Sequence, residues 1–140
     1  MKIILRSLPL FGACVLALNL QAADSPKVDL TKLPPPADKK DVTYTKDIKP
    51  IFDKSCTRCH GAEKPKGELR LDSLAGVTKG SEHGKVIQAG KSAESKLVIM
   101  VAHAGHPDDF MPPPNNRANI GPLTKEQVAL IRAWIDQGAK

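Results

Sequence analysis

The sequence predicts a small all-α domain, on three observations. Stretches 46–54, 92–105 and 124–138 carry apolar residues at helical spacing. The connections between them are rich in Gly, Lys, Ser and Pro and leave room for one short strand pair at most. No internal repeat is evident, and 140 residues make one domain plus extensions.

The extensions come first. Lys2 and Arg6 make a short positive start, "LPLFGACVLALNL" follows as an apolar run, and "QAADS" supplies small residues for cleavage after Ala22. Residues 1–22 therefore read as an export signal, with a retained anchor as the other reading. The run is too short for a comfortable membrane span. Cys14 does not suit a lipoprotein signal, because Phe11 stands three residues before it and apolar sequence continues past it. Residues 23–43 are polar and carry Pro26 and Pro34 to Pro36, which favours an extended, flexible or wrapping arm.

The domain begins near Tyr44. Ile48, Ile51 and Phe52 lie at helical spacing, and Pro50 is tolerable in a first turn, so a short helix runs from about Lys46 or Ile48 to Lys54. Residues 61–90 read as loop. In "SAESKLVIMVAHAG", Leu97, Met100 and Val101 share a helical face, Ser92 or Ser95 offers a cap, and Gly105 offers an end. "HPDDFMPPPNNRANIGP" is irregular, since Pro112 to Pro114 lack backbone donors. The last helix is the clearest. Thr124 and Gln127 form a capping box, Val128, Ile131, Trp134 and Ile135 form its apolar face, and Gly138 stands at its stop.

The net formal charge is +6, or +4 over the 118 residues left after Ala22. The basic residues are scattered and no aromatic–basic interleaving marks a nucleic-acid surface. A solvated surface, or a basic face toward an acidic protein, accounts for the balance. Past the signal the only aromatic residues are Tyr44, Phe52, Phe110 and Trp134. A domain this size needs a sizeable apolar core, so something besides aromatic side chains is expected to fill it.

Cys56, Cys59 and His60 point to what that could be. C-x-x-C-H is the attachment signature of haem c. Each thiol adds across one vinyl group of the porphyrin, two intervening residues let one turn span the macrocycle edge, and the adjacent histidine faces the iron as proximal ligand. A covalent bond keeps the cofactor in place outside the cytoplasm, so export and haem attachment agree. Three other readings compete. Zinc on Cys56, Cys59, His103 and His106 leaves His60 unexplained and has unusual spacing. A thioredoxin-like pair lacks its βαβ setting. A Cys56–Cys59 disulfide closes too small a loop to stabilise much.

A second axial ligand completes an electron carrier, and methionine favours the ferrous state. Met111 is preferred over Met100, because the prolines after it fix the backbone and lower the entropy of holding sulfur on iron. Met100 lies in an apolar helical stretch, where methionine usually fills the core. His103 and His106 are weaker candidates; bis-histidine ligation would lower the potential.

"IFDKSCTRCHG", "GELRLDS", "AGKSAESKL", "MPPP" and "LTKEQVALIRAWIDQGA" together resemble the planctomycete-type cytochrome c domain, a branch of class I cytochromes c, over residues 44–140. The resemblance implies a cytochrome c-like fold whose N- and C-terminal helices cross over one covalently bound haem, bringing Phe52 toward Trp134. It implies Cys56 and Cys59 as haem thioether residues, His60 as proximal iron ligand and Met111 as distal ligand.

The expected function is that of an exported, periplasmic, single-haem carrier. It would be a monomer that passes one electron to transient redox partner proteins, without catalysis of its own and without binding nucleic acid. The alternative is a haem enzyme or gas sensor with an open sixth iron position. Arg70, Lys85 and Arg117 are candidate partners for the haem propionates.

Overall fold

A computed structural model describes residues 27–140; the export signal expected over 1–22, with Cys14, lies outside the described residues. Among the described residues five α-helices form: α1 Lys49–Ser55, α2 Thr57–His60, α3 Leu74–Lys79, α4 Lys96–Val101 and α5 Lys125–Asp136. Among the described residues there is no β-strand, only an isolated bridge between Ser81 and Gly84. The all-α class holds.

α1 is preceded by a π-helical turn, Tyr44–Ile48, capped by the Thr43 hydroxyl, which accepts from the Lys46 N–H. This wide turn ends where Pro50, which has no donor to give, occupies the first turn of α1. α5 carries the expected capping box: Thr124 Oγ1 accepts from the Gln127 N–H at 3.3 Å, and Gln127 Oε1 accepts from the Thr124 N–H at 2.9 Å. Gly138, at φ +98°, closes α5, with its N–H on the Ile135 carbonyl and the Ala139 N–H on that of Trp134.

α4 departs from its expected limits. It starts after a 3-10 turn at Ser92–Glu94, and it ends at Val101 rather than near Gly105. Ser95 does not cap it; its hydroxyl instead accepts from the Gln88 N–H at 2.9 Å and donates to the Lys91 carbonyl at 3.0 Å. His103 takes the left-handed position, φ 53°. From there its N–H reaches the Met100 carbonyl and the Ala104 N–H reaches that of Ile99, the pair of bonds glycine usually permits.

α3 was not expected, because Gly76 breaks its pattern. That glycine is required by packing: a Cβ there would lie 2.7 Å from Arg70 Cβ and 2.8 Å from its carbonyl oxygen. Ser73 caps α3 by accepting from the Gly76 N–H.

The core is continuous. Ile48, Phe52, Val77, Val98, Ile131, Trp134 and Ile135 are fully buried, each worth about 1.5–3 kcal/mol against exposure. α5 meets the N-terminal part of the domain at the π-helical turn. Tyr44 stands between the two residues expected to approach each other. Its ring centroid lies 6.3 Å from that of Phe52 and 5.9 Å from that of Trp134. The C-terminus closes the same corner, with the Lys140 carbonyl accepting from Tyr44 N and Trp134 Nε1.

The stretch expected as a flexible or wrapping arm is, from residue 27 on, laid against the helices. The Ala37 N–H donates to the Ala129 carbonyl at 2.9 Å, Arg132 Nη1 donates to the Pro34 carbonyl, and Gln137 bridges Lys39 O and Val42 N.

Candidate haem crevice

α1 delivers the chain into the cysteine turn. The Cys56 N–H still bonds the Phe52 carbonyl at 2.7 Å, and the Cys59 and His60 N–H groups both return to the Cys56 carbonyl. One tight turn thus sets Cys56, Cys59 and His60 on the wall of a single crevice. Gly61 lets the chain leave this turn: a Cβ there would sit 2.5 Å from the Thr57 carbonyl oxygen. The Leu71 N–H then ties back to the His60 carbonyl at 2.7 Å.

α4 and the proline loop line the same crevice. Met100, Val101, Met111, Pro112 and Pro113 border it together with the cysteine turn, and Leu69, Leu71, Val86, Leu97 and Ile120 complete an apolar lining. The crevice opens into a cleft of about 800 Å³ that shares Cys59, His60, Met100 and Met111, a volume typical of sites that bury an organic ligand. Tyr44, Phe52 and Trp134 cluster elsewhere in the core and do not line it.

Asn116 shapes the outer loop, and sequence reasoning overlooked it. Its Nδ2 donates to the Pro113 and Ile120 carbonyls, and its Oδ1 accepts from the Ile120 N–H. The signal was present in "PPPNN", since asparagine after proline commonly closes a turn through its own side chain.

The chemistry of the wall suits a haem c. Both thiols are free. Burial pushes the Cys56 thiol up to about 12, with the neighbouring Cys59 a lesser cause, so it stays neutral at ordinary pH. Burial also holds the His60 imidazole below its ordinary value, while the Leu69 and Lys66 backbones push more weakly the other way. His60 Nδ1 is buried and has no partner at hydrogen-bond geometry. A neutral imidazole on an apolar crevice beside two free thiols matches what covalent haem attachment demands.

The rival quartet does not gather. Neither His103 nor His106 lines the crevice, and among the described residues no three of His, Cys, Asp or Glu are placed to hold a metal ion together. His103 stacks on Phe110, and His106 turns to Asp108. Of the three proposed propionate partners, two are engaged elsewhere. Arg70 grips Asp72 with two bonds, at 3.0 and 2.6 Å, and Lys85 donates to the Thr78 carbonyl. Arg117 borders the cleft together with Arg58, Lys66 and Lys96, and among the described residues no carboxylate lines it.

A family model described as Planctomycete cytochrome C matches residues 56–115, from the first crevice cysteine through the proline loop. Neither the comparison with curated proteins nor that with solved structures finds a match.

Proposed function

With residues 56–115 belonging to the planctomycete cytochrome c family, we propose that the protein is an exported, single-haem electron carrier rather than an enzyme. The observation that carries this reading is the convergence of two free thiols, one half-buried imidazole and two methionines on one apolar crevice. When bound, haem c supplies a one-electron iron couple. Cys56 and Cys59 would hold it through thioethers, His60 would offer its imidazole to the iron, and Met111 would supply the second ligand. Leu69, Leu71, Val86 and Leu97 exclude water, which raises the potential together with the methionine sulfur.

Export rests on the family and on the N-terminal sequence; among the described residues no helix is long and apolar enough to cross a membrane. The rim of Arg58, Lys66, Lys96 and Arg117 suits a transient partner with an acidic face.

The test is mass spectrometry and a pyridine haemochrome assay on protein matured in a host competent for haem c. One added haem mass is expected, lost when Cys56 and Cys59 are both changed to Ser. Absence of haem from the matured wild-type protein overturns the reading. Carbon monoxide then separates carrier from sensor: a closed carrier binds it slowly or not at all, while rapid binding to the ferrous form points to an open sixth position.

A further inference from the structure

Three short stretches distant in sequence meet beside the methionine loop. The Asp29 N–H donates to the Ala104 carbonyl at 2.7 Å. Lys32 Nζ donates to the His103 carbonyl at 3.2 Å and lies 5.9 Å from the centroid of the Phe110 ring. The His103 and Phe110 rings stack almost parallel, 3° apart in plane and 4.3 Å between centroids. Phe110 directly precedes Met111, and the Met111 N–H bonds the Met100 carbonyl at 3.1 Å.

We propose that Asp29–Lys32 is a strap that positions Met111, with Lys32 clamping the His103–Phe110 stack against the end of α4. This rests on the reading of Met111 as an iron ligand. Three features support it. The loop 105–111 has few anchors of its own: a 3-10 turn at Pro107–Asp109, the stack, and the single Met111–Met100 bond. The His103 ring is placed for stacking rather than hydrogen bonding, since its Nε2 is buried with no partner. Lys32 meets both members of the stack at once, donating to the carbonyl of one and approaching the ring face of the other with its cation. Asp29 is held in register by a local turn, its carboxylate accepting from Thr31 N and Oγ1. A strap that restrains Phe110 restrains the backbone one residue from the sulfur, which lowers the entropy lost on ligation.

The experiment uses the full ferric holoprotein with added imidazole as a competitor for the sixth position. Readouts are loss of the thioether-to-iron charge-transfer band, the reduction potential, and hydrogen exchange over residues 100–111. Lys32→Ala is expected to raise the imidazole association constant about fivefold, as loss of one hydrogen bond and one cation–aromatic contact implies. It should also lower the potential and speed exchange in that stretch. Lys32→Arg, which keeps the cation, should restore most of each effect. Lys39→Ala removes an ion pair with Asp47 at the other end of the arm, at 2.5 Å, and should change none of them.

Unchanged imidazole affinity and exchange in Lys32→Ala overturn the strap. So does an equal effect from Lys39→Ala, which would mark general loosening. If the wild-type ferric protein shows no thioether band, the ligand assignment of Met111 fails. Exchange then decides the strap alone: faster exchange over 100–111 in Lys32→Ala upholds it, and unchanged exchange ends it.

Discussion

The Met111 N–H donates to the Met100 carbonyl at 3.1 Å, so the two methionines that line the crevice are joined through their backbones. Both side chains line the crevice. They differ in what carries them. Met100 belongs to α4, whose position is set by Leu97, Val98 and Val101 in the core, whereas Met111 stands at the entry to a proline run.

That difference separates two variants. Met111→Ala is expected to convert the ferric spectrum from low-spin to a high-spin or water-ligated form and to lower the reduction potential. Met100→Ala should keep the low-spin spectrum and lower stability by about 2 kcal/mol through lost packing. An exchange of these two phenotypes would transfer the distal role to Met100.

Tyr44 makes stability depend on alkaline pH. Its hydroxyl donates to the Leu71 carbonyl at 2.9 Å, and burial raises it from 10.0 to about 12, with Asp53 and Asp72 as lesser causes. A raised value means the folded state holds the proton more tightly. The contribution is therefore full below pH 10 and is lost as pH rises from 10 toward 12. Tyr44→Phe should cost about 1–2 kcal/mol at neutral pH, since it leaves a buried carbonyl unpaired. The gap between variant and wild type should close across that alkaline window in denaturant titrations.

Ser92 is the polar hub that fixes α5 against the turn before α4. It is 1% exposed. Its N–H and Oγ both donate to the Asp136 carboxylate, at 2.8 and 2.9 Å, and Arg132 Nε donates to its Oγ at 3.0 Å. Ser92→Ala leaves a guanidinium and a carboxylate short of partners and should destabilise by about 1–3 kcal/mol. Denaturant midpoints would show this, with the m-value and the haem spectrum unchanged.

The cationic rim predicts a salt-dependent partner. Electron transfer with an acidic redox protein should slow about tenfold or more from low to physiological ionic strength. Lys96→Glu and Arg117→Glu should each reduce that dependence at fixed driving force, as measured by stopped-flow absorbance. Rates indifferent to salt would exclude this rim as the docking face.

Local physics made much of this protein legible in its sequence. Thr124, Gln127 and Gly138 mark the ends of α5 because caps act within a few residues, and the spacing of Val128, Ile131, Trp134 and Ile135 announces a buried face for the same reason. The Cys56–Cys59–His60 turn is equally local, since five residues contain its whole geometry. What depended on contacts far along the chain was not readable. α3 is hidden by Gly76, which exists for the close approach of Arg70. α4 stops early because His103, not Gly105, takes the left-handed turn, in a ring held by Phe110. Tyr44 against Trp134, and Lys32 against His103 in its stack with Phe110, join residues 90 and 71 positions apart. The sequence by itself determined the helices with strong caps and the residues offered to the cofactor. Only the tertiary structure decided which of those residues share a wall and what holds them there, because such pairings arise from packing among distant segments rather than from any nearby pattern.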